Sequence, residues 1–144
     1  MFNGTRYTTI NTDAGVKNGI SAVAYWIRSE NSWLTGSKKL KDVNLDSTEA
    51  ELKGIVNAMY LLTLPQNEFF ANADRIVINC DSKGAIHKLK RNDVYKDVIP
   101  ILTKIYTIIP RSKFKFKWVK GHSKRKGSKY WVNNWCDKEL KKHY

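Results

Sequence analysis

Four acidic residues stand out in this chain of 144 residues, because each occurs at a boundary between predicted secondary-structure elements. Asp13 ends the first predicted strand, and Asp81 follows a short apolar strand, Arg75 to Cys80. Glu51 falls in the first turn of the first predicted helix, on its buried face, and Asp137 falls near the start of the last one. The ends of adjacent parallel strands meet at one edge of a sheet, so Asp13 and Asp81 are predicted to lie side by side.

Clustered carboxylates repel one another unless a cation lies among them. Carboxylate oxygens without a Cys or His cluster are the ligands of Mg²⁺ and Mn²⁺, and Cys80 and Cys136 have no zinc-site spacing, so both are predicted to be reduced. Two such ions can activate a water on one side of a phosphodiester and stabilise the leaving oxygen on the other. The acidic set is therefore compatible with two-metal phosphodiester hydrolysis.

Each acidic residue also has a purely structural explanation. Asp13 can form an Asx turn, and Asp81 can cap the helix that begins at Ser82. Glu51 can reach back to Thr48 in a capping box, and Asp137 can complement a helix dipole. Spacing alone leaves these alternatives open.

The elements that must position the acids can be read from periodicity and turn residues. Three extended stretches come first, separated by Asp-Ala-Gly and Glu-Asn-Ser turns, and they predict an antiparallel meander. A helix, a strand, two helices, a second strand and a closing helix follow. The predicted bounds are strands at 6–12, 20–28, 32–41 and 75–80, and helices at 48–64, 82–89, 95–108 and 130–142. A last strand is predicted in FKFKWVKGH, where Phe114, Phe116 and Trp118 alternate with Lys113, Lys115 and Lys117 and so leave one face solvated. This order predicts one 144-residue domain, an α/β fold with a mixed sheet and helices on its faces.

The charge of the chain points to a polyanionic partner. The sequence has 26 Lys plus Arg against 13 Asp plus Glu, a net charge of +13, which concentrates polyanions such as nucleic acid at the surface. The stretch from Lys124 to Lys129 is predicted to be a basic loop that contacts phosphates or is merely solvated. The sequence has no long apolar span that would predict a membrane anchor, and the N-terminus lacks a secretory signal, so a cytoplasmic location is expected.

These pieces together resemble the ribonuclease H family over nearly the whole chain. The matching segments are INTDAG at Asp13, TEAELKGIVNAM at Glu51, VINCDSKGAI at Asp81, and KWVKGHSKRKG followed by NNWCDKEL at His122 and Asp137. The resemblance implies a five-stranded mixed sheet, three antiparallel strands and then parallel ones, flanked by helices. It also implies an endonuclease, expected to be monomeric, that cuts the RNA strand of RNA–DNA hybrids and leaves 5′-phosphate and 3′-hydroxyl ends.

The resemblance also assigns roles to single residues. It implies that Asp13, Glu51, Asp81 and Asp137 hold two Mg²⁺ ions, with Mn²⁺ as an alternative and Asp13 as the bridge between the ions. It gives His122 a supporting catalytic role in proton transfer or product release. The Ala-Glu-Leu match and the buried face of the helix select Glu51, with Glu49 as the alternative. The predicted substrate contacts are Asn18, Ser47, Thr48 and Lys120.

The sequence departs from the family pattern in three places. Ala14-Gly15 replaces the usual Gly-Ser after the first Asp, and the turn that follows is shortened to VKNGI. Ser47 and Thr48 stand where an Asn or Gln often reads ribose 2′-hydroxyls, and no long basic handle precedes WVKGH.

Three rivals remain beside the hybrid nuclease. They are another nuclease of the same superfold acting on double-stranded RNA or DNA junctions, a binding module without catalysis, and a plain basic RNA-binding domain.

Overall fold

The computed structural model describes residues 4–120 and 138–143. The described part contains a five-stranded sheet whose strands are β1 (Tyr7–Lys17), β2 (Ile20–Ser29), β3 (Ser32–Val43), β4 (Arg75–Cys80) and β5 (Phe114–Trp118). Their order across the sheet is β3-β2-β1-β4-β5. Neighbours among the first three strands are antiparallel, whereas β4 is parallel to both β1 and β5. The predicted mixed sheet, with three antiparallel strands followed by parallel ones, is therefore confirmed.

The first hairpin turns later than the sequence analysis predicted. The turn lies at Asn18-Gly19, both with positive φ (55° and 76°), and not at Asp-Ala-Gly. Two central residues with positive φ form a type I′ turn, whose twist matches that of the flanking strands. Asp13 therefore does not end the first strand but pairs with Ala24 inside it. The second turn, at Glu30-Asn31, lies where it was predicted.

The described helices are α1 (Ser47–Leu61), α2 (Glu68–Ala71), α3 (Lys83–Arg91) and α4 (Ile99–Ile108), and residues 138–141 are also helical. Two predicted bounds were wrong for reasons that involve proline. α1 ends three residues before the predicted Leu64, because Leu64 precedes Pro65 and adopts an extended conformation (ψ 141°). α4 begins at Ile99 and not at Tyr95, which places Pro100 in the first turn, where its missing N–H costs nothing. No helix of the described residues has the length and apolar character needed to cross a membrane.

The main core lies on the sheet face that α1, α3 and α4 cover. The strands contribute Ile10, Ile27 and Ile78, all without exposed surface, and β5 adds Phe114 and Phe116. The predicted alternation along β5 is confirmed for Phe114 and Phe116, which are buried between exposed lysines, but not for Trp118, which is exposed. A second, smaller cluster on the opposite face packs Leu140 against Ala22 and Ala24.

α1 approaches the sheet closely at Gly54. A Cβ atom at this position would lie 2.7 Å from Cγ1 of Val23 on β2, closer than van der Waals contact allows. The glycine costs helix propensity but permits this approach, which brings the first turns of α1 near β1 and β4.

We expect Gly54→Ala to destabilise the protein by about 1–3 kcal/mol, because the clash with the buried Val23 outweighs the gain in helix propensity. Urea denaturation measures the change. The control is Asn57→Ala on the same helix, which raises propensity at a partly exposed position and should be neutral or stabilising. Equal or greater stability of Gly54→Ala than of this control would contradict the packing described here.

Candidate active site

A cleft of about 410 Å³ opens at the end of the sheet where β4 stops and α1 begins. We call it the carboxylate cleft, because three acidic side chains share it. Its lining residues are Asp13, Ala14, Gly15, Val16, Ser47, Glu51, Asp81, Ser82, Leu140 and Lys141. Three of the four predicted metal ligands thus meet at one place, and Asp137 lies outside the described residues.

The parallel pairing of β1 and β4 brings Asp13 and Asp81 together. The paired register ends with Asn11 opposite Asn79, and Asp13 and Asp81 each come two residues later. Parallel strands carry equivalent positions forward in step, so the two carboxylates reach the same edge. The pairing produces the predicted juxtaposition, although β1 continues past Asp13.

The structure does not use Asp13 in an Asx turn or Asp81 as a helix cap, the two structural alternatives for these residues. The backbone N–H of Ala14 donates to Oδ1 of Asp13 (3.0 Å), but the chain continues as a strand and makes no Asx turn. The cap of α3 is Ser82, whose Oγ accepts from the N–H of Ala85 (3.2 Å). The carboxylate of Asp81 is therefore not needed as the cap of that helix.

Glu51 lies one turn deeper in α1 than was predicted. The helix begins at Ser47, so Glu51 falls in the second turn, and the cap is Asp46, which accepts from the N–H of Glu49 (2.8 Å). A capping box between Glu51 and Thr48 is thereby excluded. Glu49, the alternative candidate, forms an ion pair with Lys53 (3.3 Å). Glu51 is the glutamate that lines the carboxylate cleft.

The Glu51 carboxylate is almost fully buried, with 7% of the residue exposed. The Cys80 thiol donates to its Oε2 atom (3.2 Å), whereas Oε1 is buried and has no hydrogen-bond donor in the part of the chain that the structure describes. Burial raises the pKa of Glu51 well above its usual range, and the nearby carboxylates of Asp13 and Asp81 raise it further. An acceptor oxygen buried among like charges is suited to bind a cation.

The donor atoms of Glu51, Cys80 and Asp81 lie within 4.8 Å of one another. Carboxylate oxygens are hard ligands, and together with the Oε1 atom of Glu51 they fit a divalent cation such as Mg²⁺ or Mn²⁺. Burial raises the pKa of the Cys80 thiol well above its usual range, so the thiol remains a hydrogen-bond donor to Glu51. The donor set therefore consists of hard oxygens, with a neutral sulfur beside them.

Cys80 is a site residue that the sequence analysis missed, because that analysis tested the cysteines only for disulfide and zinc-site spacing. The available signal was its position directly before Asp81 in a buried strand. Among the described residues Cys80 is a free cysteine, and it is only 1% exposed. Cys136 lies outside the described residues.

The predicted substrate residues lie in different environments. Ser47 lines the carboxylate cleft, and Thr48 is partly buried where α1 meets Gly84 of α3. Asn18 is exposed at the tip of the first hairpin, and Lys120 is exposed two residues after β5. The predicted catalytic residue His122 and the basic stretch 124–129 lie outside the described residues.

The C-terminal residues 138–143 close one side of the cleft. Leu140 and Lys141 line it, and Leu140 packs on the sheet. The hydroxyl of Ser37 on β3 contacts two of these residues, donating to Oε2 of Glu139 (3.2 Å) and lying 2.8 Å from Nε2 of His143. These polar contacts fix the segment against β3.

We expect Glu51→Gln to stabilise the metal-free protein at neutral pH, because the substitution removes a buried charge close to two other carboxylates. Folding raises the pKa of Glu51, so the protonated Glu51 contributes its full stability at pH values below the usual carboxyl pKa. That stability is lost as the pH rises toward the raised pKa of the folded state. The advantage of Gln should therefore be small at pH 4 and grow toward pH 8. In thermal unfolding with EDTA at pH 8, Glu51→Gln should be more stable than wild type by about 1 kcal/mol, which corresponds to a melting temperature higher by roughly 3–5 °C.

The matched control is Glu49→Gln, which loses the ion pair with Lys53 and should gain no stability at any pH. Added Mg²⁺ should raise the melting temperature of the wild-type protein and reverse or erase the advantage of Gln. A difference between wild type and Glu51→Gln that does not change between pH 4 and pH 8 would contradict the electrostatic account of the site.

Comparison of the sequence with protein-family models and with curated proteins gives no match. Solved structures give clear matches. One is ribonuclease H1 from the halophilic archaeon Halobacterium salinarum NRC-1 (TM-score 0.64, 12% identity, 94% of this chain and 96% of that chain covered). Another is the N-terminal RNase H domain of a Mycobacterium tuberculosis protein, solved as a fusion with maltose-binding protein (TM-score 0.60, 13% identity, 94% and 91% covered). The fold implied by the motif resemblance is thus confirmed across most of the chain: this protein has the ribonuclease H-like fold.

Proposed function

We propose that the protein is a metal-dependent nuclease that hydrolyses the RNA strand of RNA–DNA hybrids. The observation that carries the proposal is the convergence of Asp13, Glu51 and Asp81 in one cleft, with a buried Glu51 oxygen that lacks a donor among the described residues. A ribonuclease H-like fold and a charge of +13 support a nucleic-acid substrate.

Three residues of the cleft, Asp13, Glu51 and Asp81, would hold two Mg²⁺ or Mn²⁺ ions together with Asp137. When bound, the cations supply an activated water and neutralise charge on the leaving oxygen. The chain itself keeps these carboxylates in place through the β1–β4 pairing and through the Cys80 thiol that holds Oε2 of Glu51. This preorganisation avoids the cost of assembling like charges during the reaction.

The reaction is hydrolysis of a phosphodiester. Water forms a new bond to phosphorus, the bond between phosphorus and the 3′ oxygen breaks, and the products carry 5′-phosphate and 3′-hydroxyl ends. His122 would take up or deliver a proton in this step or assist product departure. Ser47 and Thr48, at the start of α1, can donate to and accept from ribose 2′-hydroxyls, which distinguish RNA from DNA. Asn18 and Lys120 would contact the strands outside the cleft.

We expect cleavage of the RNA strand of a labelled hybrid in Mg²⁺ and none in EDTA. Asp81→Asn should abolish cleavage while folding and hybrid binding remain close to wild type, because the substitution keeps the shape of the side chain but removes a ligand charge. The control is Asp93→Asn, at an exposed carboxylate beyond the far end of α3, which should cleave normally. Gel analysis of the end-labelled RNA measures each rate.

The same assay separates the rival functions when double-stranded RNA and a four-way DNA junction are included. Preferential cleavage of either one would assign the protein to another nuclease class of the superfold. Binding of all three substrates without cleavage in Mg²⁺ or Mn²⁺ would identify a binding module. Near-normal activity of Asp81→Asn would refute the proposed metal site.

We expect phosphate neutralisation to dominate binding, so the affinity of Asp81→Asn for the hybrid should fall by roughly 0.7–0.9 log units per phosphate contact for each decade of salt. Replacing Lys124, Arg125 and Lys126 by Ala should flatten this slope if the basic stretch contacts the backbone. The matched control removes three exposed cations at the other end of the sheet and of α1, Arg28, Arg75 and Lys104. Equal slopes for the two triple variants would mean that the basic stretch is only solvated.

A further inference from the structure

An exposed tryptophan lies beside the carboxylate cleft, and neither the motif resemblance nor the cleft accounts for its exposure. Trp118 is the last residue of β5, the edge strand of the described sheet, and 44% of its surface is exposed. An aromatic side chain of this size usually buries most of its surface. Its exposure beside the proposed nucleic-acid site makes the ring available to a ligand.

The indole of Trp118 is held in a fixed orientation. Its Nε1 donates to the carbonyl oxygen of Asp81 (3.0 Å), so the ring is attached to the residue that carries a cleft carboxylate. The backbone on each side is also fixed, because Trp118 pairs with Cys80 and the N–H of Val119 donates to the Cys80 carbonyl (3.0 Å). A ligand that contacts this ring therefore has no side-chain freedom to restrict, which lowers the entropic cost of binding.

A positively charged side chain, Lys83, lies beside the indole of Trp118. The ammonium of Lys83 lies 5.6 Å from the indole centroid, in cation–π contact. Lys83 is exposed and begins α3 directly after Ser82, which lines the cleft. Lys117 and Lys120 are also exposed beside the ring in sequence. Trp118 donates a hydrogen bond to the cleft residue Asp81, and Lys83 directly follows the cleft residue Ser82. A flat apolar surface and an ammonium thus lie together beside the cleft.

We propose that Trp118 and Lys83 form a binding site for one nucleotide that flanks the scissile bond, with its sugar on the indole and its phosphate on the Lys83 ammonium. We call this pair the indole–lysine site. The inference rests on the proposed function for the location of the scissile bond, but binding to the pair requires no catalysis. The sugar contact explains the apolar surface, and the phosphate explains the cation.

A second tryptophan provides a matched control. Trp33 is 52% exposed and also carries a cation, with the Arg28 guanidinium 5.4 Å from its centroid. Arg28 pairs with Thr9 on β1, four residues before Asp13, so this pair lies toward the other end of the sheet. The two pairs have similar exposure and charge but differ in their distance from the carboxylate cleft.

The experiment measures binding of a fluorescent RNA–DNA hybrid by anisotropy in EDTA, which prevents metal-dependent cleavage. Trp118→Ala should weaken binding by roughly 3- to 15-fold, because the apolar face of the sugar is no longer buried, and Trp118→Phe should recover most of the loss because it keeps a flat ring. Lys83→Gln should weaken binding and lower the salt slope by about one phosphate contact. Trp33→Ala should remain within about twofold of wild type. Thermal unfolding of each variant checks the fold, and Lys83→Gln, at an exposed position, tests the site even if Trp118→Ala unfolds.

Inorganic polyphosphate separates the two halves of the site, because it offers phosphates without sugars or bases. Lys83→Gln should weaken binding of both polyanions, whereas Trp118→Ala should weaken binding of the hybrid alone. Equal losses for Trp118→Ala and Trp33→Ala, an unchanged affinity of Lys83→Gln, or equal effects of Trp118→Ala on hybrid and polyphosphate would each overturn the proposal. Absence of hybrid cleavage by the wild type in Mg²⁺ would instead refute the proposed function and leave this binding result standing.

Discussion

Repulsion among three carboxylates at one edge of the sheet is the constraint that the rest of this structure accommodates. Parallel pairing of β1 and β4 places Asp13 and Asp81 at the same edge, and α1 adds Glu51 with almost no solvent around it. Such an arrangement is unfavourable by itself, since burial and like charges both oppose ionisation. We propose that a bound divalent cation offsets this cost, while the packed elements around the cleft hold the carboxylates in place.

The framework resists this repulsion through the packing of the buried face of α1, which is also the face that carries Glu51. Gly54 lets the helix approach β2, and the helix face buries Leu52, Ile55 and Met59 completely. Glu51 therefore cannot move away from the sheet without opening the core. The thiol of Cys80 holds one of its oxygens and leaves the other directed to no donor among the described residues. The apolar core thus fixes the position of a polar site.

Charged side chains near the start of α1 that lie outside the cleft form a network of ion pairs around Lys53. Burial favours the neutral form of the Lys53 amine, but hydrogen bonds to Asp42, Asp97 and Glu49 outweigh it and raise the pKa of Lys53. The same ion pairs (2.7, 2.6 and 3.3 Å) connect β3, α1 and the segment before α4. Glu49 is thereby engaged away from the cleft, two residues from Glu51. Glu49 and Glu51, two residues apart in α1, thus have separate roles, one in an ion pair and the other in the cleft.

Apart from the four-residue helix α2, which was not predicted, the sequence by itself determined the order and type of the described elements, the bounds of β4 and the buried face of α1, because hydrophobic periodicity reports which side of an element is buried. It also predicted that Asp13 and Asp81 would lie side by side, since neighbouring parallel strands run in step, although Asp13 lies within β1 and not at its end. Local patterns misplaced the first turn and the start of α4, where Asn18-Gly19 and Pro100 impose backbone constraints that periodicity does not contain. Only the tertiary structure placed Glu51 in the cleft while Glu49 pairs with Lys53, gave Cys80 its contact with Glu51, and left Trp118 exposed beside the cleft. Each of these depends on distances between elements that are remote in sequence, which spacing along the chain cannot specify.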